Sequence, residues 1–162
     1  EHSLSLQSGS KTERITVKIP AGIEDGQTIR LAGQGNPGIG GAEAGDLLVT
    51  IHVAPHPWFR REGINILVDV PVTPSEAALG GKVDVPTLSD GIVVMNVPPG
   101  TSSGTRMRLR GKGVKSSKGA AAGDQFVVLK IVIPKDLTDE AKQHYQKLAE
   151  LNPVNPRADL WQ

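Results

Sequence analysis

The 162 residues hold 18 lysines and arginines against 17 aspartates and glutamates, so a net charge of +1 offers no global field to nucleic acid or to a membrane surface. The absence of cysteine removes disulfides and thiolate-bound zinc, and no apolar run approaches the roughly 20 residues that cross a bilayer. Hydrophobic residues make up 38% but aromatics only 3%, and 19 glycines and 12 prolines punctuate the chain, which predicts short strands, many turns and a Val, Ile and Leu interior.

The opening "EHSLSLQSGS" has no basic stretch followed by an apolar one, so no secretory signal is expected and a cytoplasmic setting is the default. Ile15, Val17 and Ile19 then alternate with Thr16 and Lys18, the period of a strand with one buried face. "PAGIEDG" stops that strand with Pro20 and turns the chain with glycine, and "GQG" opens a loop that closes at Gly45-Asp46. Leu47, Val49, Ile51 and Val53 alternate next, followed by Ile64, Ile66, Val68 and Val70, each run again expected to bury one face. In "TPSEAALGG" Thr73 caps a short helix, Pro74 takes its first position, Glu76 completes a capping box and Gly80 ends it. After Pro134, "LTDEAKQHYQKLAEL" predicts a longer helix capped by Thr138, with Asp139 and Glu140 at the positive end of its dipole. Ala141, Tyr145, Leu148 and Leu151 lie along one side of it, and Pro153 and Pro156 close it.

Sliding the chain on itself by 78 residues lays Pro20 on Pro98, Gly22 on Gly100, Gly26 on Gly104, Arg30 on Arg108 and Leu31 on Leu109. Gly33, Gly35, Gly45 and Asp46 fall on Gly111, Gly113, Gly123 and Asp124, with apolar runs after each aspartate. This is a duplicated unit, and two copies suit two similar small subdomains better than a solenoid. They are expected to meet near Val70 to Pro74.

Few motifs carry chemistry. "GQGNPG" fits a glycine-rich phosphate pattern in letters, but Pro37 forbids the helix whose N-terminus would hold a phosphate. His52 and His56 straddle Pro55 at a strand end, where four residues span about 13 Å, so no metal site is expected. No nucleophile elbow or Ser-His-acid arrangement is present, and neither a catalytic residue nor a cofactor is expected. "RMRLRGKG" puts Arg106, Arg108 and Arg110 on one strand face, either a plain solvated face or a contact for an anion such as DNA phosphate. "HPWFRREG" sets Trp58 and Phe59 beside Arg60 and Arg61. It reads either as a core plug at a loop or as the wall of a pocket for an extended peptide with apolar and acidic side chains.

Taken together, "VKIPAGIEDGQTIRLAGQG", "GDLLVTIHVAPHPWFRREG", "VPVTPSEAALGGKVDVPTLSDG", "VPPGTSSGTRMRLRGKG" and "GDQFVVLKIVIP" resemble, in order, the C-terminal substrate-binding region of DnaJ-family J-domain co-chaperones. The resemblance covers nearly the whole chain and is nearest to the zinc-free, curved-DNA-binding members. It implies a mainly β fold of two tandem β-sandwich-like subdomains, at residues 1–70 and 71–135, with a C-terminal dimerisation helix and tail at 136–162. It also implies a partner set: unfolded polypeptides, the acidic C-terminal tail of the seventy-kilodalton heat-shock chaperone, and a second copy of the chain through Tyr145, Leu148 and Leu151. By position Leu4, Leu6 and Phe59 match the apolar residues of the family's peptide groove, with Arg60 and Arg61 as candidates to meet the tail's carboxylates. Two departures stand out: there is no His-Pro-Asp triplet of a J-domain, and no cysteine-rich module near "QSGSK". The counterpart of "PVTPSEAALGG" would fall before Glu1, so the first copy is expected to lack its opening strand and small helix. A non-catalytic peptide-binding module is the reading that follows. The alternative is a DNA-binding architectural module using Arg106, Arg108 and Arg110, and no membrane partner is expected.

Overall fold

The computed structural model describes residues 2–8, 11–38, 40, 42–115, 121–158 and 160. The chain divides into two compact units, Glu1–Ile131 and Val132–Gln162. The first is built almost wholly of strands. β1 (His2–Ser8) and β2 (Lys11–Val17) form an antiparallel hairpin, and β3 (Thr28–Leu31) and β4 (Leu47–Thr50) form a second. β5 (Phe59–Glu62) and β6 (Asn65–Val72) then pair, α1 (Pro74–Leu79) follows, and β7 (Gly81–Pro86) pairs with β8 (Ile92–Val97). β9 (Arg106–Leu109) and β10 (Gln125–Ile131) complete a four-stranded sheet in the order β5-β6-β10-β9, in which β10 runs parallel to β6 and antiparallel to β9.

Valine spacing explains the core. Val68, Val70 and Val72 of β6 and Val127 and Leu129 of β10 point to one face of the sheet, because alternate residues of a strand share a face. There they meet Val83 and Val85 of β7, Met95 and Val97 of β8, and Ala77 of α1. Each such side chain contributes about 1.5–3 kcal/mol on full burial. β6 departs in part from the expectation of one buried face: Ile66, Leu67 and Val68 are buried in succession, with Val128 of β10 also buried on the Leu67 face, while Asp69 and Pro71 of that face stay exposed. Gln125 is fully buried at the start of β10 and its Nε2 donates to the Pro86 carbonyl at 2.7 Å, tying the sheet to the end of β7.

The internal repeat holds down to single hydrogen bonds. Arg30 Nε donates to Asp46 Oδ2 at 2.5 Å, and Arg108 Nε donates to Asp124 Oδ2 at 2.6 Å. The other oxygen of each carboxylate accepts from Gly33 N at 3.0 Å or Gly111 N at 2.8 Å. Gly33 and Gly111 have φ of 69° and 67°, the left-handed backbone that places each N–H toward its aspartate and that glycine adopts without steric cost. Gly35 N donates to Gly45 O at 2.7 Å as Gly113 N donates to Gly123 O at 2.8 Å.

The copies differ where β6 enters. β10 runs for seven residues with β6 along its second edge, whereas β4 ends at Thr50, short of the strand expected through Val53. β4 has no second neighbour among the described residues, and the Val53 N–H turns instead to the Asp25 carboxylate at 2.8 Å. The division expected between residues 70 and 71 falls inside β6, and the first unit closes at Ile131.

Both helices carry the expected caps. Thr73 Oγ1 accepts from Glu76 N at 3.2 Å while Glu76 Oε2 accepts from Thr73 N at 2.8 Å, and Thr138 Oγ1 accepts from Ala141 N at 3.2 Å. α2 (Asp139–Leu151) belongs to the second unit and buries none of its residues; Tyr145, Leu148 and Leu151 stay exposed.

The clamp predicts a pH dependence. Asp124's carboxyl is held below the ordinary 3.8 chiefly by the Gly111 N–H and then by the Arg108 guanidinium, and Asp69 and Asp90 are lowered by hydrogen bonds from Arg60 and Lys112. A carboxyl lowered in the folded state stabilises it fully above the unfolded value, and that stability is lost as pH falls through the folded value. Tm should therefore be level at neutral pH and fall on acidification below about pH 4, and Asp124→Asn should lower Tm at pH 7 and flatten the acid limb. An Asp124→Asn chain with the parent's acid titration would show that the clamp does not couple to folding.

Candidate functional site

β5 is a four-residue strand at the edge of its sheet, and the turn that leads into it is organised by one histidine. His56 Nδ1 accepts the N–H groups of Trp58 at 3.1 Å and Phe59 at 3.3 Å, which assigns the proton of the neutral ring to Nε2. The same ring lies 4.8 Å from the Phe59 ring and meets Trp58 edge-on at 5.8 Å. Phe59 sits opposite Val68, half-buried against the core, while Trp58 is 63% exposed. Phe59 thus packs against the core and also lines a cavity.

Two cavities adjoin this strand. One, of about 470 Å³, is lined by Phe59, Val53, Ile66, Leu88 and Val114 together with Arg60 and Arg61. The other, of about 480 Å³, is lined by Trp58, Val70, Pro86 and Ile92 together with Arg60 and Asp69. The second lies along the stretch of β6 that extends past β5: pairing with β5 ends at Val68, and Asp69, Val70 and Pro71 line the cavity. Pro71 has no N–H to present there.

Arg60 joins the two cavities. Its guanidinium donates to both oxygens of Asp69, at 3.1 and 2.8 Å, which raises the Arg60 pKa and lowers that of Asp69. The pair is exposed to water, so exchange of one carboxylate for another costs little. Arg61, the other candidate for the tail contact, is engaged within the chain. Its guanidinium donates to the Gly22 carbonyl at 2.8 Å, the Ile23 carbonyl at 2.7 Å and the Gly63 carbonyl at 2.7 Å, and its side chain is only 28% exposed. Arg61 ties the first repeat's turn to β5 through three of its five N–H groups, and its guanidinium also lies 3.6 Å from Glu24.

The other expected residues lie apart. Leu4 does not join Phe59: it lines a separate cavity of about 240 Å³ with Val17, Ile19, Val49 and Ile51. Leu6 is on β1 opposite Glu13, and its side chain lies outside the described residues. Arg106 and Arg108 project from the exposed face of β9, with Arg110 just past its end, but the Arg108 guanidinium is held by Asp124. The stripe is therefore not three equivalent cations. His52 lies 3.7 Å from Asp25, and with His56 engaged at its Nδ1 the two histidines have different neighbours. Sequence reasoning missed Ile92 and Asp69. "IVVMNV" is apolar at every position but Asn96, so its alternation does not tell that Met95 and Val97 point inward while Ile92 and Val94 are 70% and 63% exposed.

The family model for the DnaJ C terminal domain matches residues 2–134. The curved DNA-binding protein of Coxiella burnetii is 50% identical over 154 residues, covering 95% of this chain and 48% of that protein. The chaperone protein DnaJ of Bacillus velezensis is 47% identical over 142 residues, covering 88% of this chain and 38% of the relative, and that of a Geobacillus species is 48% identical over 141 residues, covering 87% and 37%. The chain spans half or less of the length of these relatives. A family match over most of the chain, joined to a duplicated β unit, makes this chain a member of the DnaJ C-terminal domain family.

Proposed function

We propose that this chain is the polypeptide-binding region of a J-domain co-chaperone, which holds extended non-native segments and docks the acidic C-terminal tail of the seventy-kilodalton heat-shock chaperone. The observation that carries the reading is the edge strand with Trp58 and Phe59 between two largely apolar cavities that share one exchangeable cation, Arg60. An extended peptide adds main-chain bonds at a sheet edge and sinks alternate side chains into pockets beside it. β5 has one such edge free among the described residues. Arg60 supplies the one feature specific to an acidic tail, because its guanidinium can trade Asp69 for an incoming carboxylate. The tandem arrangement of two β-sandwich-like subdomains belongs to the same proposal, and so does a homodimer through Tyr145, Leu148 and Leu151, whose apolar surface the second unit leaves open.

A second reading is favoured by the name of the Coxiella relative and by the exposure of Arg106 and Arg110: a DNA contact on the outer face of β9. It relies on phosphate neutralisation and so on ionic strength.

Truncating an aromatic anchor of this kind weakens binding by about tenfold or more. Phe59→Ala and Trp58→Ala should each do so for a labelled apolar peptide, and Arg60→Ala should act chiefly on an acidic tail peptide. Arg61→Ala should instead lower Tm. Peptide affinity unchanged in Phe59→Ala and Trp58→Ala would move the groove elsewhere. For assembly, the double change of Leu148→Asp with Leu151→Asp should convert a dimer to a folded monomer in sedimentation velocity. For the DNA reading, duplex affinity should fall steeply with salt and drop in Arg106→Ala, while peptide affinity holds level; salt-insensitive duplex binding would exclude it.

A further inference from the structure

The turn into β5 depends on an acceptor that a proton can take away. The segment between β4 and β5 runs from Ile51 to Trp58, and Pro55 and Pro57 within it have no N–H to donate. Among the described residues no backbone carbonyl takes the Trp58 N–H; it goes to His56 Nδ1 at 3.1 Å, and the Phe59 N–H reaches the same nitrogen at 3.3 Å. One ring nitrogen thus gathers two consecutive N–H groups and sets the direction in which both side chains leave the backbone. Phe59 goes toward the core opposite Val68, and Trp58 stays exposed beside the second cavity. The His56 ring itself lines the cavity that Phe59 lines.

Only a neutral imidazole can do this, because in the imidazolium both nitrogens donate. A proton on Nδ1 would face two N–H groups, and neither bond would survive. Imidazole is also the side chain whose charge changes between about pH 8 and about pH 5. The other charged groups lining this cavity are Asp25 on the first repeat's turn and Arg60 and Arg61 on β5. Each is engaged elsewhere: Arg60 with Asp69, Arg61 with Glu24 and three carbonyls, and Asp25 with the Val53 N–H. On the loops that bring Leu88 and Val114 to the cavity, Asp90 pairs with Lys112, and Lys115 is close by. Among the described residues the histidine that faces a carboxylate is His52, 3.7 Å from Asp25, so a charged His56 gains no ion pair in place of the two bonds it loses. A charged His52 would tighten on Asp25 and steady the segment, an effect of the opposite sign.

We propose that His56 is a positioning residue for the peptide contact and a proton-linked latch on it. The neutral ring holds Trp58 and Phe59 in the binding arrangement; protonation at Nδ1 frees both N–H groups and the turn opens. This rests on the reading of Trp58 and Phe59 as anchors for an extended polypeptide, and adds that capture weakens as pH falls. Two hydrogen bonds of ordinary net strength shift the closed fraction by about tenfold, and apparent affinity falls in the same proportion. The buried core takes no part, so Tm stays close to its neutral value over the same range.

The test is anisotropy of a rhodamine-labelled peptide of alternating leucine and serine, which has no side chain that titrates in this range, on the 162-residue chain. From about pH 7.5 to about pH 5.5 the parent should lose about tenfold in affinity. His56→Asn puts an oxygen in the place of Nδ1 that accepts the same N–H groups and takes up no proton; it should bind like the parent at the upper pH and stay level to the lower. His56→Ala should be as weak at both as the parent is in acid, and His52→Asn should keep the parent's profile. With no peptide present, the Trp58 and Phe59 amide resonances should follow the titration of the His56 ring in a nitrogen–proton correlation spectrum. Parent affinity that is level with pH, a fall that persists in His56→Asn, or amides that ignore the ring would overturn the latch. A parent that binds no peptide at either pH would count against the proposed function instead, and the amide resonances by themselves then decide the latch.

Discussion

A single carbonyl oxygen, that of Ile64, governs how the first unit is assembled. It accepts from Val114 N at 2.9 Å and lies 2.6 Å from where a Cβ on Gly113 would stand, so two glycines must lack side chains for β6 to enter the sheet. Three backbone segments meet there with no side chain between them, and such close approach is open only to glycine. Once Ile64 is seated, Ile66 N finds the Asp124 carbonyl and the parallel register of β6 on β10 follows residue by residue to Val72. Parallel strands cannot be joined by a tight turn, so α1, the β7-β8 hairpin and β9 fall between β6 and β10 in the chain. The core valines are aligned by that register and not by any local preference.

The candidate site inherits its geometry from the same strand. Phe59 is fixed by pairing with Val68, and Asp69, the next residue, turns to the opposite face and takes Arg60. Because β6 is longer than β5, its last residues border a cavity. Arg61 then binds this edge to the first repeat through carbonyls of Gly22 and Ile23, and the cavity beside Phe59 is lined by residues of both copies, Val53 from one and Val114 from the other. A residue that looks like a ligand contact in sequence is a structural tie, and its neighbour keeps the exposed charge.

Several cations of the first unit are engaged within the chain. Arg30, Arg60, Arg108 and Lys112 each face an aspartate, and Arg61 faces carbonyls. Large apolar side chains are exposed beside the two cavities: Trp58 and Ile92 line one and Leu88 the other. An apolar groove with few fixed polar groups suits ligands that share alternation of side chains and no particular sequence.

The sequence by itself determined what local chemistry controls. Both helix caps, the glycine turns, the strand character of the apolar runs and the duplication itself follow from residue spacing, because capping and positive φ are decided within a few residues. The Asp-Gly-Arg clamp is likewise implicit in the repeat, since the same three residue types recur at the same spacing. Only the tertiary structure decided which strands are neighbours. That β6 is central and buries Leu67 as well as its core face, that Ile92 points out while Met95 points in, and that Leu4 and Phe59 line different cavities all depend on pairing between residues far apart in the chain. It decided the fate of the charges too: Arg60 and Arg61 are adjacent and identical in sequence, but alternate strand faces send one to Asp69 and the other to the turn at Gly22 and Ile23. Period-two alternation tells that two neighbours point opposite ways, and the packing of the remaining strands tells what each of them meets.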